Sequence, residues 1–596
     1  MKQFMTTVAG VFVGLALFFI GGPLLLLGWA ASASKPAPVA SRSVLVLDLR
    51  EGVTDQAGSS PFAALSSHGV AVTDVDQTLR AAETDANIRG LLVRLPEGAI
   101  APAAADELRA AFLRFRAAGK PIVAFGQGFY ADGTVISTYE LAAASGDVWM
   151  QPGSSFQAVG LAREDVFFKR FFDRHHVGAD YQQRYEYKTA VNPFLYEDYT
   201  DAHRQSELSW MSSVYQSALA AAAADRHQGL ARLRSSIEAG PYGAEIAMAR
   251  GLIDHVGQEP EAEAALLAKA GSGAKLVEFA DYQANVQSRS SSAFGIGDPV
   301  IAIISVEGDI MTGTGSGGAP SFGGAQVIHS DDVQKAFRAA VDDSDVKAIV
   351  FRISSPGGSD TASEQILAAV RAAKAAGKPV VVSMGTYAAS GGYWIASQAS
   401  EIVAQPTTLT GSIGVFGGKF ALGPALADFG VDMRGLKVGG DYADASASRA
   451  PMSASQHAAT SAWMDTIYNG FISRVAQGRK LSPDRVREIA KGRVWTGEQG
   501  KTLGLVDRVG GFYDAVDEAK RLAGVKGGAR LRSFNPETSP WRLLKRLLGG
   551  SAELAHVAAS IGGVASDPSA RAVMSGVSDA QLRAQGATVL APRWVN

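Results

Sequence analysis

At 596 residues the chain is too long for one ordinary domain, and its 47% hydrophobic and 19% charged residues describe folded units with substantial cores. With 56 Lys and Arg against 58 Asp and Glu, the formal charge of -2 gives no general electrostatic reason to expect nucleic acid as a partner. The absence of Cys excludes disulfides, thiolate metal sites and a cysteine nucleophile together.

The first predicted element is apolar. After Lys2 no charged residue occurs until Lys35, and residues 8–31 are dominated by Val, Leu, Phe, Gly and Ala. A membrane-spanning helix needs roughly 20 residues, whereas a secretory signal has an apolar core of roughly 7 to 15. Residues 1–35 are therefore predicted to form an uncleaved N-terminal membrane anchor. Cleavage stays open, because Ala31-Ser32-Ala33 has the small-x-small form a signal peptidase accepts. Lys2 on one side and Lys35 and Arg42 on the other leave the orientation undecided by the positive-inside rule.

From Ser43 the chain turns to β-branched apolar runs of the kind that make buried strands. SVLVLDLREGV from Ser43 recurs as PVIAIISVEGDI from Pro299. RAAETDANIRGLLVRL from Arg80 answers RAAVDDSDVKAIVFRI from Arg338, and RAAGKPIVAF from Arg116 answers KAAGKPVVVS from Lys374. A period near 256 residues is a domain duplication, not a solenoid. Each copy reads strand, helix, strand, helix, strand, which predicts parallel strands joined by helical crossovers and an α/β fold in both. The predicted domains are residues 42–295 and 296–528, followed by a basic tail over 529–596.

The copies differ where chemistry is expected. After the strand ending at Ile353 the second copy has SSPGGSD, with Gly357 and Gly358, where the first has PEGAIAP and lacks the paired glycines. The next strand of the second copy runs into GTYAASGGYWIAS. Registering Gln151-Pro152 on Gln405-Pro406 sets Ile136 of the first copy, in FYADGTVISTYEL, opposite Ser390. Conversely, YEYKTAVNPF around Lys188 has no equivalent lysine. Registering GAD from Gly178 on GVD from Gly430 sets Gly440 opposite Lys188, with Lys437 three positions away.

A serine hydroxyl becomes a nucleophile when a base takes its proton and donors face the oxyanion its attack creates. Ser390 stands between the strand PVVVSMG and the helical stretch GYWIASQAS, so a helix N-terminus offers it unpaired N–H groups and a favourable dipole. Gly391, and Gly358 at the end of a neighbouring strand, lack side chains and let a carbonyl approach two main-chain donors. The pattern is not the G-x-S-x-G elbow, since Ala388 occupies the first glycine's place. A lysine acts as a base at neutral pH only when desolvation or a neighbouring cation lowers its pKa. Lys188 lies among Tyr185, Tyr187, Phe194 and Tyr196, with Arg184 close by as a candidate cation. Read singly, such a lysine is more often a surface side chain snorkelling over apolar neighbours, and such a serine a turn.

Other signals fail on context. GTGSGG from Gly313 formally matches G-x-G-x-x-G after a strand, but Pro320 and further glycines follow where a helix should begin, so it reads as a loop. Gly500-Lys501-Thr502 resembles the end of a P-loop, but Trp495 stands in place of the first glycine. The nine histidines, His175 and His176 included, show no metal-ligand spacing, and a Ser-His-Asp triad is a minor alternative. In the tail, the eight residues from Trp541, WRLLKRLL, read either as an amphipathic helix at the membrane surface or as a segment docked on the body.

Four motifs in this order, YKTAVNPF at Tyr187, SPGG at Ser355, AASGGYW at Ala388 and GSIGV at Gly411, resemble the long, duplicated form of the signal peptide peptidase A (protease IV) family. The resemblance runs from the anchor to about residue 525. It implies two tandem domains of the Clp protease and crotonase fold behind an N-terminal transmembrane helix. By it, Ser390 is the nucleophile, Lys188 the general base contributed by the other half, Ser412 a hydroxyl orienting Lys188, and Gly358 and Gly391 the oxyanion hole. It also implies a serine endopeptidase of the bacterial inner membrane, facing the periplasm and assembled as a homotetramer. Such an enzyme degrades signal peptides and other unfolded apolar peptides through an acyl-enzyme, without metal or organic cofactor. Whether Ser390 and Lys188 meet within one chain or across an interface stays open. The competing readings are a membrane-tethered scaffold of the same fold that has lost activity, and an acyl-CoA enzyme of the crotonase type, for which an intact Ser-Lys pair and an anchor are superfluous.

Overall fold

Apolar runs that alternate with helical stretches have one economical solution, a parallel sheet covered by helices on both faces. The computed structural model takes that form twice. It describes residues 39–56, 69–292, 298–315 and 327–535, together with the short strand Val589–Leu590. The anchor expected over residues 1–35 and nearly all of the tail lie outside the described residues. Among the described residues no helix is long and apolar enough to cross a membrane.

The first half contributes β1 (Ser43–Asp48), α1 (Val72–Thr84), β2 (Ile88–Leu95), α2 (Pro102–Ala117), β3 (Ile122–Gly126), α3 (Val135–Ser145), β4 (Val148–Met150), β5 (Gly178–Arg184), α4 (Asp201–Asp225), β6 (His255–Val256), α5 (Glu259–Ala270) and β7 (Lys275–Glu278). Its sheet runs β6-β4-β3-β2-β1-β7, every pair parallel. The strand period of two sorts the side chains: Leu45 and Leu47 face the layer of α1 to α3, while Val44 and Val46 pack on Ala262 and Leu266 of α5.

The second half repeats the plan with β8 (Val300–Glu307), α6 (Ser330–Asp342), β9 (Val346–Ser355), β10 (Gly357–Gly358), α7 (Asp360–Ala375), β11 (Val380–Ala389), α8 (Gly391–Ala396), β12 (Glu401–Ala404), β13 (Leu409–Gly411), β14 (Val415–Ala421), α9 (Ala454–Arg479), β15 (Val494–Thr496), β16 (Arg508–Val509), α10 (Phe512–Leu522) and β17 (Arg530–Ser533). The sheet runs β15-β13-β11-β9-β8-β17, with β12 beside the first part of β11 and β16 beyond it. Ala302 and Ile304 face the main core, and Ile301 packs with Ala348 and Val350 on Phe512, Ala515 and Val516 of α10. The outer strand β17 pairs in parallel with β8, so the second sheet runs past the domain boundary drawn at residue 528. Its R-L-R-S alternation suits a half-exposed edge, with Leu531 turned to the α10 cluster.

Two of the connections between the halves bear on the site. The first is a buried polar seam. Arg352 of β9, with no exposed surface, reaches Glu107 of α2 at 2.8 Å, and Glu107 also accepts the Phe512 N–H at 2.6 Å. Asp106 accepts from the Thr407 hydroxyl at 2.6 Å, and Asp55 accepts from the Thr386 N–H at 2.9 Å and from the Ser354 hydroxyl. The second is a two-stranded antiparallel ribbon in which β5 of the first half pairs with β14 of the second, from Arg184 opposite Val415 to Gly178 opposite Ala421.

Candidate active site

The ribbon sets the site. Ser412 lies three residues before Val415 and Lys188 four residues after its partner Arg184, so the register that pairs these strands carries both side chains to the same end. There Lys188 Nζ sits 2.8 Å from Ser390 Oγ, 3.0 Å from Ser412 Oγ and 3.1 Å from the Ser412 carbonyl oxygen. The Ser-Lys contact is made within one chain and between its two halves.

Ser390 follows β11, one of the two ten-residue strands of the second sheet. The first part of β11 pairs with β12 and its last residues with β13, and the Ser390 N–H donates to the Gly411 carbonyl at 2.8 Å before α8 begins. Ser390 takes φ 56° and ψ −116°, a region that L side chains avoid at a cost on the order of 1 to 3 kcal/mol. Ser412 also has positive φ, at 48°. Two strained serines beside one buried lysine mark a place where geometry has been kept at the expense of local stability.

Lys188 is 1% exposed. Burial alone drives its pKa well below the ordinary lysine value, and among the described residues it has no carboxylate partner. Its three contacts suit a neutral amine. Two N–H groups donate to the two Ser412 oxygens, and the lone pair is left to accept the Ser390 hydroxyl proton. The cation considered beside it turns away: Arg184 binds Asp465 at 2.5 Å and the Ser461 carbonyl at 2.9 Å on α9.

Gly358 and Gly391 adjoin each other. A Cβ on Gly391 falls 2.8 Å from Ser363 Oγ and 3.1 Å from Gly358 N, and a Cβ on Gly358 falls 2.1 Å from the Ile310 carbonyl oxygen. A side chain at Gly358 runs into main chain and one at Gly391 presses on Ser363 and on Gly358, so the two glycine backbones lie against each other. Nothing in the sequence marks Gly492. Its backbone, with φ 84°, lies where an added Cβ would stand 2.5 Å from Lys188 N and Cβ. An isolated glycine in KGRVW carries no motif, so only the tertiary contact identifies it.

The first half has the same frame without the serine. Tyr139 donates to the Leu252 carbonyl at 2.9 Å as Tyr393 does to the Leu505 carbonyl at 2.9 Å, and Ile136 stands three residues before Tyr139 as Ser390 does before Tyr393. Lys437, the nearest lysine to the Lys188-equivalent position, pairs with Asp441 and Asp444 on the surface. Among the described residues no group of His, Cys, Asp or Glu is arranged to hold a metal ion. His203, the most buried of the described histidines, neighbours Glu207 and Tyr199, and burial lowers its pKa to about 4.

Residues 114–272 and 372–526 match the model of Peptidase family S49, and Lys188, Ser390 and Ser412 lie inside the matched segments. A protein named Protease 4 from Salmonella typhi is 34% identical over 468 residues, covering 76% of this chain and 72% of the relative. Protease 4 of Haemophilus influenzae is 30% identical over 552 residues, with 88% and 86% covered. The chloroplastic serine protease SPPA of Arabidopsis thaliana is 27% identical over 487 residues, with 81% and 69% covered.

Proposed function

Since the chain belongs to peptidase family S49 and is a serine-type peptidase, we propose that Ser390 is its nucleophile and Lys188 its general base. The 2.8 Å contact between Ser390 Oγ and a buried, carboxylate-free lysine carries this reading. Lys188 takes the Ser390 proton as Oγ attacks the peptide carbonyl carbon. The oxyanion is met by the N–H groups of Gly358 and Gly391, which need no reorganisation because the tight packing around both glycines fixes them. As the C–N bond breaks, Lys188 returns the proton to the leaving nitrogen. Water then gives its proton to Lys188, attacks the ester, and Ser390 leaves with the proton restored. Ser412 holds the lysine through both half-reactions by accepting its two N–H groups.

The duplicated α/β plan supports placing both halves in the Clp protease and crotonase group. The motif resemblance and the apolar residues 8–31 support a membrane-tethered enzyme that degrades signal peptides and other unfolded apolar peptides on the periplasmic side of a bacterial inner membrane. They support no nucleic-acid or cofactor requirement. A homotetramer draws support from the duplication itself. Within the chain, β5 pairs with β14; by the repeat register the segment from Gly430 answers β5, yet Leu436 and Val438 are 102% and 97% exposed. An interface left unmade within the chain and remade head to tail between copies closes a ring.

The test is hydrolysis of an unstructured apolar peptide by the full chain against Ser390→Ala and Lys188→Ala proteins of equal circular dichroism. Loss in both is the expected result. Equal turnover in all three would overturn the dyad, and no turnover in any would favour the scaffold reading.

A further inference from the structure

Ser412 and Lys188 stand on separate segments, so the 3.0 Å between Ser412 Oγ and Lys188 Nζ depends on what holds those segments side by side. Residues 491–493 of the second half lie between them. On one side the Gly492 N–H donates to the Ile413 carbonyl at 2.9 Å and the Ser412 N–H donates to the Arg493 carbonyl at 2.8 Å, prolonging the antiparallel pairing of β13 with β15. On the other side the Tyr187 N–H donates to the Lys491 carbonyl at 3.2 Å. The Gly492 backbone packs so closely on Lys188 that an added Cβ would stand 2.6 Å from its Cα. This bridge touches both the base and the residue that holds it.

Two side chains tie the bridge to the lysine segment. Lys491 Nζ pairs with Glu186 at 3.0 Å, but both side chains are exposed, and such a pair contributes little. Arg493 is placed differently. Its guanidinium lies 4.3 Å from the ring centroid of Trp495, in its own half, and 5.1 Å from that of Tyr187, the residue before Lys188. Among the described residues its buried Nε has no hydrogen-bond acceptor and the side chain has no carboxylate partner. A carboxylate at that point would favour the protonated form of the adjoining lysine, whereas ring faces anchor a cation without that effect. We infer that Arg493 is a positioning residue for the general base: stacked on Tyr187, it holds residues 491–493 against Lys188 and so keeps the amine beside Ser412 and away from water. The inference rests on the reading of Lys188 as base. The other titratable groups at the bridge are Tyr185 and Tyr468, whose rings lie 5.0 Å apart; the Tyr468 hydroxyl accepts the Lys491 N–H at 3.4 Å, and burial raises its pKa to about 12.

The experiment measures kcat and KM for an apolar peptide from pH 6 to 10 in full chains carrying Arg493→Met, Arg493→Lys, Tyr187→Leu, and Arg493→Met with Tyr187→Leu. Arg493→Met is expected to lower kcat about tenfold with KM changed less than about twofold, and to move the rise of kcat/KM to higher pH because water reaches the amine. Arg493→Lys keeps a cation over the rings and should recover part of the loss. Tyr187→Leu should reproduce the defect, and the double variant should be no worse than either alone. Defects that multiply in the double variant, a pH profile that does not move, or a higher KM at unchanged kcat each overturn the proposal. A second measurement needs no hydrolysis. In denaturant melts the stability difference between the Lys188 and Lys188→Met proteins begins to grow with pH where the folded amine loses its proton, and in the Arg493→Met background that point is expected at higher pH. The same point in both backgrounds refutes the role of Arg493 even where no variant cleaves peptide. Full turnover by Lys188→Ala counts against the dyad instead, and the melts still decide what Arg493 does.

Discussion

Removing the Ser412 hydroxyl tests the positioning of the base more sharply than removing the base. In Ser412→Ala one Lys188 N–H loses its acceptor in a site closed to water, while the Ser412 carbonyl keeps the other at 3.1 Å. An unsatisfied buried donor costs about 1 to 3 kcal/mol, and the amine escapes part of that cost by rotating its lone pair away from Ser390. At about 1.4 kcal/mol per factor of ten, kcat/KM is expected to fall about 10- to 100-fold. Ser412→Gly supplies the control. Residue 412 has φ 48°, which costs a non-glycine residue roughly 1 to 2 kcal/mol, so glycine recovers in backbone strain about what it loses in hydrogen bonding. The Ala and Gly proteins should therefore share the same kinetic defect while differing in thermal stability, the Gly protein melting higher. Steady-state kinetics and melting curves on both decide it. A Ser412→Gly enzyme with wild-type kcat/KM would refute the orienting role, and a tenfold kinetic difference between the two would show that backbone geometry, not the hydroxyl, is what Lys188 senses.

Because burial holds the Lys188 pKa well below its ordinary value, kcat/KM should rise with pH as the folded amine deprotonates and then level off. The unfolded chain binds that proton up to about pH 10.4, so between the depressed pKa and that value stability rises with pH by about 1.4 kcal/mol per unit; Lys188→Met should abolish that contribution in denaturant melts run from pH 6 to 10. Arg352→Met leaves Glu107 and the nearby Asp55 buried without their cation and should cost about 3 to 5 kcal/mol in denaturant melts, whereas a variant that adds Glu107→Gln and Asp55→Asn should lose less; an equal loss in both would show that packing, not charge, dominates. Gly391→Ala should lower kcat about a hundredfold or more with the fold retained, and adding Ser363→Ala should not rescue it, because the contact with Gly358 N remains. Recovery in that double variant would place the oxyanion donors elsewhere.

Much of this site is legible in the sequence. The strand runs at Ser43 and Pro299 were readable because parallel strands are buried on both faces and leave continuous apolar stretches, and their recurrence exposed the duplication. The absence of a serine at position 136 is readable because the flanking Gln-Pro pairs fix the register, and the matching Tyr139 and Tyr393 hydrogen bonds agree with it. The edge strand β17 is not legible, because R-L-R-S is too short and too charged to signal a strand without the neighbour it pairs with. Arg184 stands four residues from Lys188 in the sequence, but its strand pairing turns it to Asp465.

The sequence by itself determined that there are two α/β copies, that only the second keeps the paired glycines and the serine, and that only the first has the lysine. Those are questions of residue identity at aligned positions, and identity survives without geometry. Only the tertiary structure decided that serine and lysine meet within one chain, that burial and not a cation depresses the lysine, that Gly492 makes room for its backbone, and that Val589 and Leu590 pair with Gly358 and Gly357. Each of these depends on a pairing between segments far apart in the chain, β5 with β14 and β10 with Val589–Leu590, whose register is set by main-chain hydrogen bonds that no local pattern of side chains encodes.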